Sequence, residues 1–395
     1  MPKLLQINAT ANWGSTGKIV ESICNVTQLY GIENYVAYGR DITNSISNLI
    51  KVGGSLNPYF HYVENYFLDR EGLSSRCATR TLVNHIKNIK PDIIHLHNIH
   101  DHWLNYRILF NYLNETDIPI VWTFHDCWAF TGHCYHFIDS GCYKWKTHCG
   151  NCPLRNRFRD NSYRNFELKK ELFSRAKNLT IVAVSEWMAS FVKDSFFKGR
   201  PIEVIHNGVD LSVFRRLDTK EQSSNGTYRI LAVSSVWTKS KGLYDLYRLR
   251  EILPDIFEIT IVGLTKDQIK HLPNGIIGIE RTKDINELVS LYNYADVFIN
   301  PTYADTFPTV NLEALACGTP VITYMTGGSP EAIDEYSGVV IPQGNIVALA
   351  DSILKIKEEP LASFKCRERA VKYFDKDNCF SRYIELYEKL LDSKN

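Results

Sequence analysis

The chain has 395 residues, 44% of them apolar, which is enough for two hydrophobic cores. A formal net charge of +1 argues against a dedicated nucleic-acid binder, so no nucleic-acid partner is expected. No run approaches the roughly 20 apolar residues of a membrane span, and the start MPKLLQINAT turns polar at once, so neither a membrane helix nor a signal peptide is expected.

Leu4–Asn8 reads as a short buried strand leading into Asn12-Trp-Gly-Ser-Thr-Gly-Lys18, and Ile19, Ile23 and Val26 then recur at helical spacing. A glycine-rich turn between strand and helix can cradle a phosphate, with Gly14, Ser15 and Gly17 as its candidates. It is not a Walker A loop, which would need Gly at Asn12 and Ser or Thr at Ile19. Tyr35–Tyr38 is the second strand. Gly53–Thr79 is aromatic-rich and irregular, with Tyr59, Phe60, Tyr62, Tyr66 and Phe67 expected mainly to pack, or else to line an acceptor groove. Pro91–His97 and Ile118–Phe124 are further strands. His95 and His97 share one side of the first and are read as core-edge residues. His125 follows the second, at the edge where parallel sheets bind ligands.

Between Thr131 and Pro153 the spacing Cys134-x7-Cys142-x6-Cys149-x2-Cys152 ends in a CxxC pair suited to gripping one tetrahedral ion. The segment has little core of its own, and a structural zinc on these four thiolates would stabilise it. A redox or disulfide role is the alternative, less natural for ten cysteines without a secretory signal, which point to a reducing cytoplasm. Arg155–Lys170 then carries six cations against Asp160 and Glu167. That surplus suits either a plain solvated face or contact with an anionic membrane surface or a lipid-diphosphate acceptor.

Leu179–Val184 is a strand, and Ser185 caps the next helix. Ile202–Ile205 precedes His206-Asn-Gly-Val-Asp210. Leu217–Thr227 is polar and turn-rich, the expected domain boundary. Tyr228–Val236 opens the second half and leads to Lys239, Lys241 and Gly242, then to a helix carrying Leu243, Leu246 and Leu249. Phe257–Gly263, Ile276–Ile279 and Leu288–Ala295 continue the alternation. Asn300–Glu331 organises the whole: an apolar strand at 295–299, a loop with Asp305, a helix over Thr309–Cys317 with Pro308 in its first turn, a strand at 320–324, and a glycine turn at 326–329 opening a further helix. Free N–H groups at such helix starts favour phosphate. Glu313, about five residues in, stands about 7–8 Å along from Pro308. The two carboxylates could then hold two polyol groups on either side of a diphosphate. From Tyr373 onward, Phe380, Tyr383, Ile384, Tyr387 and Leu390 form one amphipathic helix.

Asp305-x7-Glu313, followed by Ala-Leu-Ala-Cys-Gly-Thr-Pro-Val-Ile at 314–322 and Gly-Gly-Ser-Pro-Glu at 327–331, resembles the E-x7-E signature of glycosyltransferase family 4, in particular its bacterial polysaccharide-biosynthesis subset. Asp305 and Pro308 stand where the family usually has Glu and often Gly, Val236 stands where it commonly has Arg, and His206 where it commonly has Pro. The resemblance implies an α/β GT-B fold, two Rossmann-like doubly wound domains facing a central cleft. The domains expected are 1–216 on the acceptor side with a Cys-rich insert at 131–153, a linker at 217–227, a nucleotide-sugar-binding domain at 228–372, and a helix at 373–395 returning to the first domain.

It also implies retaining transfer of a sugar from a nucleotide sugar, UDP- or GDP-linked, to a glycan or lipid-linked acceptor in bacterial surface polysaccharide synthesis. Glu313 would hold the ribose. Asp305 and the N–H groups of Phe307 and Thr309 would grip the donor sugar and phosphates, a cradle that Pro308 leaves one donor short. Lys241 would stabilise the leaving diphosphate, helped by Lys239 and the Gly14–Gly17 turn, and His125 would contact the donor sugar. No Asp-x-Asp diphosphate motif is read, so catalysis is expected to need no metal ion. The location expected is cytoplasmic, with peripheral contact at the inner membrane face. The alternatives are a nucleotide-sugar epimerase, which needs no acceptor, and an inactive nucleotide- or glycan-binding scaffold, which consumes no donor.

Overall fold

The computed structural model describes residues 1–155, 158–217 and 226–393. Arg157 of the basic stretch and residues 218–225 of the expected linker lie outside them. The chain divides into two compact units, Met1–Ile205 with Phe380–Asn395, and His206–Cys379.

The first unit is built on seven parallel strands: β1 (Lys3–Asn8), β2 (Glu33–Tyr38), β3 (Asn48–Lys51), β4 (Ile93–Leu96), β5 (Ile120–Phe124), β6 (Leu179–Ala183) and β7 (Ile202–Val204), in the order β3-β2-β1-β4-β5-β6-β7. The second has six, β8 (Tyr228–Val233), β9 (Phe257–Val262), β10 (Ile276–Ile279), β11 (Val297–Asn300), β12 (Val321–Tyr324) and β13 (Gly338–Ile341), in the order β10-β9-β8-β11-β12-β13 and again parallel. Helices cover both faces of such sheets, so central strands read as nearly continuous apolar runs, as in β5 (IVWTF) and β12 (VITY), both buried throughout. The α/β doubly wound class expected from the sequence is the one observed. β3 and β13 were not read, because β3 is a largely exposed edge strand and neither run is long. Ser185 caps helix Glu186–Asp194 as expected, its hydroxyl accepting from the Met188 N–H at 3.1 Å. Among the described residues no helix is long and apolar enough to cross a membrane.

Two expectations are corrected. The boundary between units falls at Ile205, ahead of 217, because His206–Leu217 packs with the second unit. Asn207 donates to the Phe307 carbonyl at 3.2 Å, Phe214 lies 6.1 Å from the Tyr292 ring, and the Leu217 N–H donates to Asn293 at 2.8 Å. The terminal helix is broken at Asp375 into Ser363–Phe374 and Lys376–Asp392. The Asp375 carboxylate accepts the N–H groups of Asp377 (2.9 Å) and Asn378 (3.0 Å), a cap on the second piece. The Asp-x-Asp triplet at 375–377, overlooked in the sequence, is therefore a helix start.

The last helix completes the first unit's core. Phe380, Tyr383, Ile384 and Tyr387 are buried on it, and the Tyr387 hydroxyl meets His95 Nδ1 at 2.7 Å. His95 Nε2 reaches Thr123 Oγ1 at 2.7 Å, and Tyr383 meets the same hydroxyl at 3.0 Å. Four side chains thus tie the end of the chain to β4 and β5. Tyr387→Phe is expected to cost about 1 kcal/mol by removing one buried hydrogen bond. Tyr387→Ala is expected to cost about 3–5 kcal/mol by also leaving a cavity. Urea unfolding of both variants checks the difference; no loss in Tyr387→Phe would mean that the hydroxyl is not engaged.

Candidate active site

In a parallel sheet the loops that follow the strands share one edge, and a ligand crevice opens where the strand order reverses. In the second unit that reversal lies between β8 and β11. The turn after β8 carries Lys239–Lys241, closed by the Gly242 N–H on the Lys239 carbonyl at 3.1 Å. The loop after β11 carries Asp305. Lys241 Nζ lies 2.7 Å from Asp305 Oδ2 and donates to the Ala304 carbonyl at 3.3 Å, with both charged side chains partly open to solvent. Lys239 is exposed, and so is Val236.

Helix Thr309–Ala316 begins straight after this loop. Pro308 is its N-cap, in extended conformation, one residue ahead of the first-turn position expected for it. No side chain caps this end, so its first N–H groups, including that of Thr309, are presented as helix-start donors. Glu313 Oε2 accepts from the buried Tyr292 hydroxyl at 2.9 Å, which fixes one carboxylate oxygen. Burial, then the Glu313 charge, pushes the Tyr292 pKa well up, so its hydroxyl stays a donor.

The Phe307 side chain is buried, its ring 4.7 Å from that of His206 and 5.7 Å from that of Phe374. Gly327 backs the Asp305 loop. Its φ is +58°, and a Cβ there would lie 1.6 Å from the Asp305 carbonyl oxygen, so only glycine fits. The adjacent Gly328 N–H donates to the Thr306 carbonyl at 3.0 Å. The second helix expected after this turn is only a single 3-10 turn, Ser329–Ala332. The chain bends at once into an Asp334–Ser337 turn, tied by a 2.7 Å side-chain bond, and enters β13. Glu331 from the short turn pairs with His206 at 2.9 Å. Tyr292, His206 and Glu331 were not among the expected site residues. Glu331 closes the motif at 327–331 and His206 opens the segment at 206–210, while Tyr292 stands in neither.

In the first unit the reversal lies between β1 and β4. Gly14, Ser15 and Gly17 form the first turn of helix Gly14–Leu29 rather than a loop ahead of it. Asn12 turns the chain with φ +48°, and Thr10 Oγ1 donates to the Trp13 carbonyl at 2.7 Å. Gly17 packs on that corner, where a Cβ would meet Thr10 Oγ1 at 2.7 Å.

His125, after β5, stacks on His97 with ring centroids 5.3 Å apart, and its Nε2 lies 3.0 Å from His97 Nδ1. His97 Nε2 lies 2.9 Å from Gln6 Oε1, while Gln6 Nε2 donates to the Val20 carbonyl at 3.2 Å. The amide oxygen can only accept, so His97 donates through Nε2 and accepts at Nδ1 from His125 Nε2–H. His125 therefore spends its proton inside the unit, and Nδ1 is its acceptor nitrogen. Beside it, His100 Nε2 pairs with Asp126 at 2.8 Å. Burial opposes protonation of His100, but Asp126, Glu71 and Asp101 outweigh it and raise its pKa.

The aromatic stretch is regular after all: Asn57–Leu68 and Arg76–Ile89 are helices. Tyr59, Phe60, Tyr62, Tyr66 and Phe67 are exposed on the first, so the packing expected of them does not occur, and His61 is its buried residue. Phe158 joins the face, 5.3 Å from Tyr66 and 5.2 Å from Phe67. Lys169 leaves the basic surface: it is buried and donates to the carbonyls of Trp128 (2.8 Å) and Thr131 (3.1 Å). In the insert the atoms brought together are those of His133, Cys134 and Cys152, within 4.8 Å of one another. This set differs from the four thiolates expected. Cys142 and Cys149 line the same small cavity.

Residues 49–213 match the family model for Glycosyltransferase Family 4, and residues 214–376 that for Glycosyl transferases group 1. The chain belongs to these glycosyltransferases. A protein of Escherichia coli K12 named as a colanic acid biosynthesis glycosyl transferase, WcaC, is 25% identical over 76% of this glycosyltransferase and 77% of its own length. Sucrose-phosphate synthase from Thermosynechococcus elongatus superposes with a TM-score of 0.76 at 17% identity, covering 100% of each chain. Anabaena HepE, solved with UDP-glucose, gives 0.66 at 14% identity, covering 98% of this chain and 99% of its own. These structural likenesses carry the GT-B fold, two Rossmann-like domains.

Four histidines of the first unit are held neutral. Burial lowers His125 to about 4 and His61 to about 3, and it takes His95 and His97 well below the usual value. Their unfolded counterparts take up protons below about pH 6.5. Their contribution to stability is thus full above that pH and declines as pH falls toward about 4, because the unfolded chain binds more protons there. His100, with its raised pKa, contributes its change at and above about pH 6.5, outside this window. Denaturant midpoints between pH 6.5 and 4.5 should fall with an apparent uptake approaching four protons, reduced by about one in His97→Gln. A flat profile would show these imidazoles to be protonated in the fold.

Proposed function

We propose that this glycosyltransferase moves a sugar, with retention, from a nucleotide sugar to a glycan or lipid-linked acceptor in bacterial surface polysaccharide synthesis. The carrying observation is the Lys241–Asp305 pair at the strand reversal of the second unit, beside an uncapped helix start that carries Glu313. A nucleotide sugar offers two polyols joined by a diphosphate, and this arrangement offers a cation, backbone donors and two carboxylates to meet them. Glu313, oriented by Tyr292, takes the ribose hydroxyls. Asp305 takes hydroxyls of the donor sugar, and Lys241 then turns to the diphosphate. The names of the relatives support the same reading: colanic acid for WcaC, and UDP-glucose in the HepE complex.

In the transfer step the bond from the anomeric carbon to the phosphate oxygen breaks. A bond to the acceptor oxygen forms on the same face, and the departing phosphate accepts the acceptor's proton. Lys241 and the helix-start N–H groups stabilise the charge that develops on the leaving group. A lipid-linked acceptor is supported by the exposed aromatic helix Asn57–Leu68 with Phe158, and by exposed Arg155 and Arg159 in the same chain segment as Phe158. The same face supports peripheral contact with a membrane.

Thermal midpoints measured against UDP-, GDP-, ADP- and dTDP-sugars test the donor assignment. A donor at about 100 times its dissociation constant adds about 2.7 kcal/mol. One nucleotide class should shift the midpoint, and Asp305→Ala or Glu313→Ala should abolish sugar transfer. Tyr292→Phe should weaken it by about fivefold through loss of one hydrogen bond. Full transfer in Asp305→Ala or Glu313→Ala overturns the assignment. Donor turnover without acceptor incorporation favours an epimerase.

A further inference from the structure

Among its described residues, the insert that follows β5 has only two short 3-10 turns, Trp128–Phe130 and Lys144–Lys146, between that strand and helix Ser162–Ser174. Backbone so irregular needs another source of order. His133 Nε2 lies 3.3 Å from Cys152 Sγ, and the sulfurs of Cys134 and Cys152 are within hydrogen-bonding reach of each other. Ligands on one tetrahedral zinc, at about 2.3 Å for sulfur and 2.0–2.1 Å for nitrogen, stand about 3.5–3.8 Å apart. The three groups are already near that spacing.

Three independent features make this more than a chance gathering. First, His133 Nδ1 lies 3.1 Å from buried Asp69, which is itself fixed by the Asn161 N–H at 2.7 Å. A carboxylate on the far nitrogen of a histidine orients the ring and selects the tautomer that presents Nε2 to a metal. Second, backbone N–H groups point at two of the sulfurs, Gly132 to Cys149 at 3.3 Å and Leu154 to Cys152. Such donors stabilise thiolates. Third, His133, Cys134, Cys142, Cys149 and Cys152 line one cavity of about 10 Å³, walled by Phe137 and Trp145. That is about the room one water or ion needs.

We propose that His133, Cys134, Cys149 and Cys152 bind one structural zinc ion. Cys149 is the fourth ligand because it is joined to Cys152 by the CxxC spacing and its sulfur already receives a backbone N–H. Cys142 is a wall of the cavity and not a ligand. With three thiolates and one imidazole the site carries a net charge of −1, and no position remains open for substrate. Through Asp69, which follows helix Asn57–Leu68 and holds the Asn161 N–H beside the next helix, the ion would tie the insert to both helices. The exposed aromatic face would then depend on the metal for its support.

The full chain, purified without chelator, is analysed for metal by mass spectrometry and for thiols under denaturing conditions. About one zinc per chain and ten titratable thiols are expected. Cobalt exchanged into the same protein should show the intense visible bands of a tetrahedral ion with thiolate charge transfer. His133→Ala, Cys134→Ser and Cys149→Ser should lose the ion, while Cys142→Ser and Cys77→Ser keep it. Asp69→Asn should retain zinc about 10–100-fold less tightly against a competing chelator. Ten thiols with no metal, or eight thiols and a disulfide, overturn the proposal. Zinc kept by Cys149→Ser but lost by Cys142→Ser overturns the ligand set. The wild-type metal content and cobalt spectrum decide the matter even if a ligand variant fails to fold.

Discussion

Parallel pairing constrains everything else in this molecule. A parallel sheet must bury both faces and return each strand over a crossover, so every strand ends on the same edge. Both sheets reverse their strand order once, and each reversal separates two loops that would otherwise collide. Lys241 and Asp305 leave β8 and β11 at such a point and meet at 2.7 Å, although they are 64 positions apart. The ion pair is partly exposed, so it contributes little to stability by itself. Its value is positional. It holds a cation and a carboxylate beside a helix start whose N–H groups have no side-chain cap.

The first unit meets the same constraint with histidines. Gln6 on β1, His97 after β4 and His125 after β5 form a chain of hydrogen bonds across neighbouring strand ends, in which each partner fixes the tautomer of the next. Burial keeps these rings neutral, which costs stability in acid but makes the direction of every bond definite. A charged His125 would lose its acceptor nitrogen. The neighbouring His100 has the opposite bias, because Asp126 sits 2.8 Å away. Two neighbouring imidazoles are thereby biased in opposite directions, His125 by burial and His100 by its carboxylate partners.

Much of this was legible in the chain because it is written locally. Apolar runs marked the central strands, a serine marked the start of helix Glu186–Asp194, and the spacing from Asp305 to Glu313 follows from helical rise alone. What was not legible depends on partners distant in sequence. Tyr292 meets Glu313 and Glu331 meets His206 across 21 and 125 positions, and no local pattern announces either pair. The aromatic run at 59–67 misled for a related reason. Its spacing is helical, but exposure is set by what packs around a helix, and here buried His61 faces inward with hydrogen bonds to Ser75 and Gly72. In the insert, cysteine spacing pointed to the cluster, but histidine entered the set only once Asp69, 64 positions upstream, was seen to hold it.

The departures from the family signature also have a structural reading. Asp305 is one methylene shorter than glutamate, yet Lys241 reaches it directly, and the loop that carries it is pressed from behind by a turn that admits only glycine at 327. The Gly328 N–H on the Thr306 carbonyl holds the same loop from the next residue. A short carboxylate on a clamped backbone is placed more narrowly than a longer one on a mobile loop, since fewer torsions separate it from the fixed main chain. Val236 leaves the position of the second cation empty of charge, so Lys241 and the helix-start N–H groups carry the diphosphate assignment. Backbone donors need no side-chain ordering when a ligand arrives, so they stabilise developing negative charge without reorganising. The proposed site relies on loop geometry where the family signature has a longer carboxylate and an arginine, and the glycine turn at 327–328 is what makes that geometry definite.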